Sequence, residues 1–325
     1  MKIIAFILSL SICMVSVSAY AQTGTDKKSE YYTYSSYKTG YGLPQEGYHL
    51  PELPDNAVLL DDIPEEELAE FNDLIYTALK DRAEKIPGIE KYFHLFGNDN
   101  KTMAPYYYRV ITDHPELYYV KTSYSLSSTV YPDRKEISIS PVYNPEFNED
   151  SDKLFNDSVR KILWETVYDG MTDEEIALSV HDYLVDHITY YTDYASEDAP
   201  DSIYSAYGAV VNGSAVCQGY SLAYSLLMHM CGIDALYVES DEMNHGWNAI
   251  KLDDEWYHVD VTWDDCFERN YPGKLMAAHF YFLRSDEYFK NPPEDYTPHT
   301  VWDSDVPLCT SNKYNDQKYV FNEKY

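Results

Sequence analysis

Apolar residues recur every three or four positions in three stretches of the chain, the spacing that predicts a helix with one buried face. The first stretch begins near Asp62. The second follows Thr172, which forms a capping box with Glu175. The third runs from Cys217 to about Met230, where Gly232 is expected to end it. These three stretches are the predicted helices of the chain.

Beyond the third helix, apolar residues alternate with polar ones, which is the period of a strand with one buried face. Four segments show this alternation: ALYVES, HGWNAIKL, EWYHVDVTW and HFYFL. The second and third are separated by Asp253 and Asp254 alone, which predicts a β-hairpin with a two-residue turn. Upstream, the segments HPELYYV and KEISISPVY predict turn and strand pieces. Separate groups of helices and antiparallel strands indicate an α+β fold.

Composition divides the chain into five segments. Residues 1–21 contain a lysine, a short apolar run and a small-x-small ending, which is typical of a secretory signal peptide and predicts a secreted protein; a retained membrane anchor is the alternative. Residues 22–61 are rich in tyrosine, glycine, proline and serine, and predict a linker or an extended arm. We expect a small α+β module at 62–149, a core at 150–309 and a tail at 310–325.

The formal net charge of −31 repels nucleic acid and anionic lipid, so neither is expected as a partner once the leader is removed. Four cysteines beyond the leader are too few for a disulfide framework. Cys266 and Cys309 could pair, and two free thiols are equally compatible with the sequence. No HExxH, paired CxxC or EF-hand motif occurs, so no metal or other cofactor is expected, although Asp253-Asp254 and Asp264-Asp265 could hold calcium loosely.

Cys217 stands at the predicted start of the third helix, where unpaired N–H groups and the helix dipole favour a thiolate over a thiol. The same N–H groups could hold an oxyanion that develops during attack on a carbonyl. Gly213 and Gly219, on either side, allow other backbone to approach closely. A small buried hydrophobe at the start of a core helix is the other interpretation of this cysteine.

A thiolate nucleophile needs an imidazole to share its proton, and the imidazole needs an acceptor on its other nitrogen. His245 begins one strand of the predicted hairpin, and Asp260 lies near the end of the other. The antiparallel register therefore brings an imidazole and a carboxylate to the same region. A surface histidine beside acidic residues is the alternative.

The segments AVCQGYSLAYSLL, MNHGWNAIKLDDEWYHVDVTWDD and HFYFLRSDEYF, in this order and at this spacing, resemble the core of the bacterial transglutaminase-like proteins, a papain-related superfamily. The resemblance covers about residues 150–309 and includes the helix DEEIALSVHDYLVDHITYY. It implies a helix that carries the nucleophile Cys217, packed on an antiparallel sheet that carries His245 as general base and acid and Asp260 as the orienting carboxylate.

Other residues are weaker candidates for substrate binding or for support of the site. They are Gln218, Gly219, Trp247 and Tyr207. Trp247, like Trp256 and Trp263, could wall a cleft, although aromatic residues in strands usually form core. Tyr204 and Tyr207 could offer a hydroxyl to an oxyanion, and packing is the simpler interpretation. Among the other histidines, His258 alternates with Asp260 and could support it, whereas His181 is expected to pack or to lie at the surface.

The resemblance implies acyl transfer through a thioester at amide bonds of a protein or peptide substrate. Hydrolysis, as in a peptidase or deamidase, is favoured because water is always present, whereas a cross-linking transglutaminase must exclude it. The alternative from a different class is a non-catalytic extracellular module that binds cell-wall or polysaccharide ligands through its 35 tyrosines. The sequence does not predict the oligomeric state.

Overall fold

The computed structural model describes residues 64–98, 100–196, 198–270, 278–293, 296–302 and 306–316. The predicted leader (1–21), the predicted arm (22–61) and the end of the tail lie outside these residues. The described residues fall into two compact units, one up to Phe147 and the other from Asn148. Within the described ranges, no helix combines the length and the apolar character needed to cross a bilayer.

The first unit combines two helices with a three-stranded antiparallel sheet. Its elements are α1 (Glu65–Lys80), β1 (Ile86–Pro87), α2 (Asn100–Asp113), β2 (Val120–Val130) and β3 (Lys135–Tyr143). The strand order is β1-β3-β2. The apolar stripe of α1 is buried as its spacing predicts, at Leu68, Phe71, Ile75 and Leu79. Helix α2 is an addition to the predicted elements, and it contains Pro105.

The second unit surrounds a central helix with further helices and a four-stranded sheet. Its helices are α3 (Glu149–Thr166), α4 (Asp173–His187), α5 (Ala206–Val210), α6 (Cys217–Met230), α7 (Val261–Asn270) and α8 (Asp286–Lys290). Its strands are β4 (Thr189–Tyr190), β5 (Ser214–Ala215), β6 (Ala235–Ser240), β7 (His245–Leu252), β8 (Glu255–Val259) and β9 (Phe282–Arg284). Strands β6-β7-β8-β9 form one antiparallel sheet in that order, and β4 pairs with β5 in parallel.

The ends of two predicted helices are confirmed. Thr172 and Glu175 form a reciprocal capping box at the start of α4: the Glu175 N–H donates to Thr172 Oγ1 at 3.2 Å, and the Thr172 N–H donates to Glu175 Oε2 at 2.8 Å. Helix α6 begins at Cys217, and Gly232 follows it with φ +73°. A positive φ just after a helix is readily adopted by glycine, which explains where α6 ends.

The predicted hairpin is confirmed, but its second strand is shorter than expected. Leu252 pairs with Glu255, and Asp253 and Asp254 form the turn with φ +51° and +64°. Two successive positive φ values match the right-handed twist of the flanking strands. The expected continuation of the strand to Trp263 is wrong, because β8 ends at Val259 and α7 begins at Val261.

Side-chain hydrogen bonds dock α6 onto β7. The amide of Asn248 donates to Ser221 O at 3.0 Å and to Ser225 Oγ at 2.8 Å. The hydroxyl of Ser221 in turn donates to Gly246 O at 3.0 Å. Gly246 follows His245, and Ser221 lies one turn after Cys217 in α6. These bonds therefore fix the start of the helix relative to the start of the strand.

Candidate active site

Cys217 is the first residue of α6 and is half-buried. The first backbone hydrogen bond of the helix runs from Tyr220 N to Val216 O at 3.1 Å. The N–H groups of residues 217–219 come before this bond and are therefore outside the intrahelical pattern. In the described ranges, no side-chain cap is formed at Val216, and the first turn contains no acidic residue. The positive end of the helix dipole therefore acts beside the sulfur without a competing carboxylate in that turn.

The first turn of α6 packs against neighbouring backbone at Gly219. A Cβ on this residue would lie 2.5 Å from Ile203 O and 2.7 Å from the Cβ of Ala215. Glycine is thus required here by close approach, as the sequence suggests. Gln218, the other substrate-binding candidate of this turn, is half-buried beside Cys217.

His245 and Asp260 form a close, buried pair. The imidazole Nε2 donates to Asp260 Oδ2 at 2.6 Å, with 7% of the His245 side chain exposed and none of Asp260. Because Nε2 is engaged by Asp260, Nδ1 is the ring nitrogen left for Cys217, which lies close enough to raise the pKa of His245. The ring of Trp263 stacks on His245 with centroids 4.8 Å apart and planes at 19°. The imidazole is therefore held at Nε2 by Asp260 and on one face by the ring of Trp263.

Burial and partner charges act in opposite directions on this pair. Burial alone would lower the pKa of His245, but the charge of Asp260 and the hydrogen bonds with Asp260 and Cys217 raise it to about 10. Burial would raise the pKa of Asp260, but the charge and hydrogen bond of His245 and the hydrogen bond of His299 hold it far below its usual range. At neutral pH the pair is therefore an imidazolium and a carboxylate.

Sequence reasoning missed His299, which contacts the same carboxylate. Its Nε2 donates to Asp260 Oδ2 at 2.9 Å, and its side chain is fully buried. The N–H of Trp263 donates to Asp260 Oδ1 at 3.0 Å. Asp260 thus accepts hydrogen bonds from two imidazoles and from the backbone of α7. Nothing in the sequence distinguishes His299 from the other nine histidines as a partner of Asp260.

Trp247 is fully buried, with its ring centroid 5.8 Å from that of His245, and therefore does not form the wall of a cleft. Its Nε1–H donates to His258 Nδ1 at 3.1 Å, and His258 Nε2 donates to Asp286 Oδ1 at 2.9 Å. Burial lowers the pKa of His258, which is consistent with a neutral ring that accepts at one nitrogen and donates at the other. His258 therefore contacts Trp247 and Asp286 and supports the site through the packing of Trp247.

The two tyrosines upstream of Cys217 occupy different environments. Tyr207, on α5, is buried, and its ring stacks on Phe155 of α3 with centroids 6.1 Å apart. Tyr204 is half-buried, and its hydroxyl donates to Tyr194 O at 3.3 Å. Burial and then the proximity of Cys217 raise the pKa of Tyr204. Tyr207 is thus a packing residue, whereas Tyr204 is close enough to Cys217 to be affected by its charge.

His181, expected to pack or to lie at the surface, is instead the centre of a second buried network. Its ring nitrogens face Asp182 Oδ1 and Asp264 Oδ2, each at 3.1 Å, and His279 Nε2 lies 2.6 Å from Asp182 Oδ1. Burial would lower the pKa of His181, but its two carboxylate partners raise it to about 9. Asp264 also accepts the N–H groups of Phe280 and Tyr281. Asp264 is therefore buried within α7 and does not lie in a calcium-binding loop.

Among the residues that the structure describes, three groups of side chains bring possible metal ligands within 4.8 Å of one another. They are His181 with Asp182 and His279, His245 with Asp260 and His299, and His258 with Asp286 and Cys309. Hydrogen bonds already join the histidine and aspartate atoms in each group. In the third group a metal at His258 Nε2 would require a proton on Nδ1, where Trp247 already donates. We therefore describe these groups as hydrogen-bond networks.

Cys309 is a free, fully buried thiol, so the suggested pairing with Cys266 is not formed. The Cys309 Sγ–H points to Pro307 O at 3.7 Å, and burial raises the pKa of the thiol well above its usual value. The side chain of Cys266 lies outside the described residues. Cys231 is buried at the end of α6, as its position predicts.

Comparison with known families agrees with this arrangement of helix and sheet. Residues 161–261 match the family described as the transglutaminase-like superfamily. This part of the chain is thus similar to a transglutaminase-like domain. The matched range includes Cys217, His245 and Asp260. It also includes the helices α4 to α6 and the strands β4 to β8.

Known proteins with similarity to the transglutaminase-like domain match it only in part. The human kyphoscoliosis peptidase is 24% identical over 128 residues, which cover 34% of this chain and 19% of that protein. The chain thus spans about a fifth of the length of this relative. A TGase crystal structure is 16% identical with a TM-score of 0.29 and covers 42% of this chain and 44% of its own. A candidate cysteine protease from Cytophaga hutchinsonii is 11% identical with a TM-score of 0.26 and covers 44% and 63%.

Proposed function

We propose that the chain is an extracellular cysteine-dependent acyl-transfer enzyme that attacks amide bonds of proteins or peptides and hydrolyses the resulting thioester. The observation that carries this proposal is the buried His245–Asp260 pair, which lies close enough to Cys217 for this residue to raise the pKa of His245. The domain match over residues 161–261 supports the same class of chemistry. We call these three residues the triad below.

Each triad residue has a defined part in the reaction. The Cys217 thiolate attacks the amide carbonyl carbon, and the N–H groups that precede the α6 ladder stabilise the oxyanion. The His245 imidazolium gives a proton to the departing amine as the C–N bond breaks, leaving a thioester on Cys217 and a neutral imidazole. His245 then takes a proton from water as the water oxygen attacks the thioester, and the carboxylic acid leaves as the thiolate and imidazolium re-form.

Asp260 contributes by holding His245 and not by moving a proton. Its Oδ2 accepts from Nε2 at 2.6 Å, which turns the other ring nitrogen towards Cys217. Its negative charge stabilises the imidazolium that the first step consumes and the second step restores. The low pKa of Asp260 keeps this charge in place over the pH range in which proteins are folded.

Mass spectrometry of a protein substrate incubated with the full chain and an added primary amine tests the proposal. Hydrolysis at the backbone gives fragments, and hydrolysis at glutamine gives a one-unit mass increase. Incorporation of the amine would instead indicate a cross-linking transglutaminase. The matched control is Cys217→Ala, which is expected to produce none of these products. Product formation by this variant would contradict the proposal.

A further inference from the structure

His299 contacts the triad residue Asp260 but lies on none of the helices and strands that carry the triad. It lies in the segment 296–302, after α8, and 39 residues beyond Asp260. Its backbone N–H donates to Phe289 O at 2.8 Å, which ties this segment to α8. The side chain then reaches back to the triad carboxylate. The backbone of His299 is therefore anchored to α8.

Aromatic rings surround His299 closely. The ring of Trp263 lies 4.1 Å away, that of Phe289 4.2 Å and that of Trp247 4.7 Å, measured between centroids. Trp263 also stacks on His245, so one indole contacts both imidazoles that donate to Asp260. This packing leaves His299 little freedom to turn away from the carboxylate.

The tautomer of His299 follows from its contacts. Nε2 lies 2.9 Å from Asp260 Oδ2 and must donate, because a carboxylate only accepts. Nδ1 is buried and, among the described residues, has no hydrogen-bond partner. A proton on Nδ1 would place a cation there without an acceptor. The ring is therefore neutral, with its single proton on Nε2.

The charges around His299 agree with this assignment. The titratable groups that act on it are Asp260, His245 and His258. Burial and the charges of the two other histidines lower the pKa of His299 to about 4, although Asp260 acts in the opposite direction. His245, with its pKa raised to about 10, carries the positive charge of the site. The two imidazoles on one carboxylate thus hold different protonation states.

We propose that His299 is a positioning residue of the triad: it donates from Nε2 to Oδ2 of Asp260 and thereby holds the carboxylate against His245. This inference rests on the proposed function. If His299 is removed, the donors to Asp260 described above are reduced to the Trp263 N–H and His245. The anionic carboxylate is then less well stabilised. The imidazolium partner of Cys217 is then weakened although no triad residue has changed.

The rate of Cys217 alkylation by iodoacetamide, measured from pH 5 to 9 by peptide mass spectrometry, tests the proposal without a substrate. His299→Phe keeps an aromatic ring and removes the donor, and we expect alkylation at pH 6 to slow on the order of tenfold, with the rise of the pH profile displaced upward. His299→Gln restores an N–H donor and should recover most of the rate. Val159→Ala, a packing control in the buried face of α3, should lower the melting temperature and leave the profile unchanged.

Two results would overturn the proposal. A folded His299→Phe protein with the wild-type pH profile would show that the ring only packs, and a His299→Gln protein as slow as His299→Phe would show that the donor is irrelevant. If His299→Phe does not fold, NMR of the ¹⁵N-histidine-labelled wild type decides. His299 should remain an Nε2–H neutral ring from pH 5.5 to 8.5, and its titration within that range would contradict the assignment.

These outcomes also separate this proposal from the proposed function. If His299 has no positioning part but the triad is correct, His245→Ala still slows alkylation while His299→Phe does not. If the triad itself is incorrect, neither substitution changes the rate.

Discussion

The N–H of Trp263 donates to Oδ1 of Asp260 at 3.0 Å, so the carboxylate that orients His245 is also the N-terminal cap of α7. The Asp264 N–H likewise reaches the Asp260 carbonyl at 3.2 Å, which closes the first turn of the helix. Capping fixes the rotamer of Asp260, and the helix dipole favours its ionised form. The junction between β8 and α7 thus sets both the position and the charge of the triad acid.

This double role predicts different effects for two substitutions of Asp260. Asparagine is a good cap but is neutral, whereas alanine can neither cap nor accept. Asp260→Asn and Asp260→Ala should both slow alkylation of Cys217 at pH 6. Asp260→Ala should additionally lose about 1 kcal/mol of cap stabilisation relative to Asp260→Asn, measured by urea unfolding. Equal stability of the two variants would contradict the capping role.

Close packing at Gly219 predicts a cost for even the smallest side chain. In Gly219→Ala, the new Cβ would meet the backbone oxygen of Ile203 at 2.5 Å, so the start of α6 or the segment around Ile203 must move. We expect a loss of about 1–3 kcal/mol in the free energy of unfolding and slower alkylation of Cys217. Gln218→Ala, on the same turn, is the control and should change stability by no more than about 0.5 kcal/mol. Equal losses in the free energy of unfolding for Gly219→Ala and Gln218→Ala would contradict the close approach of Ile203 O to Gly219.

The His181 network predicts a loss of stability at alkaline pH. Because the pKa of His181 rises from 6.5 to about 9 on folding, its contribution is complete below about pH 6.5 and is lost as the pH rises through 9. The wild type should lose on the order of 2–3 kcal/mol between pH 7 and 10 from this group. His181→Gln should have a lower free energy of unfolding at pH 7 than the wild type. Its free energy of unfolding, measured with urea, should also change less between pH 7 and 10. If the free energy of unfolding changed with pH equally in the two proteins, the raised pKa of His181 would be contradicted.

The buried state of Cys309 predicts its reactivity. In the native protein without reductant, iodoacetamide should modify Cys217 at least tenfold faster than Cys309, because burial disfavours the Cys309 thiolate. After denaturation, still without reductant, Cys309 should become fully alkylated. Failure of denatured Cys309 to react would indicate a disulfide and contradict the free thiol.

The sequence predicted the elements whose signals are local. The capping box at Thr172, the bounds of α6 and the two-residue turn at Asp253 each depend on residues within a few positions of one another. The hairpin register then follows from the turn, so the proximity of His245 and Asp260 could be inferred. The error at β8 has a local cause as well: VDVTW alternates like a strand, and the capping ability of Asp260 prevails over that alternation.

The parts of the site that sequence reasoning missed depend on long-range contacts. His299 lies in an irregular segment, TPHTVW, in which no periodicity indicates that a side chain is buried. His181 lies 83 residues from its partner Asp264, and helical spacing shows only that its neighbours are apolar. Buried ionic networks of this kind form when distant elements pack, and tertiary packing has no signature in a short window of sequence.

The pH dependence of Cys217 alkylation in the wild type and in His245→Ala tests the central claim most directly. His187→Ala, which removes an exposed histidine at the end of α4, is the control. If His245 provides the imidazolium partner of the thiolate, the His245→Ala protein should react at least tenfold more slowly at pH 6 and approach the wild-type rate only at alkaline pH, while the control follows the wild type. Identical profiles for all three proteins would contradict the Cys217–His245 pair and, with it, the proposed enzyme.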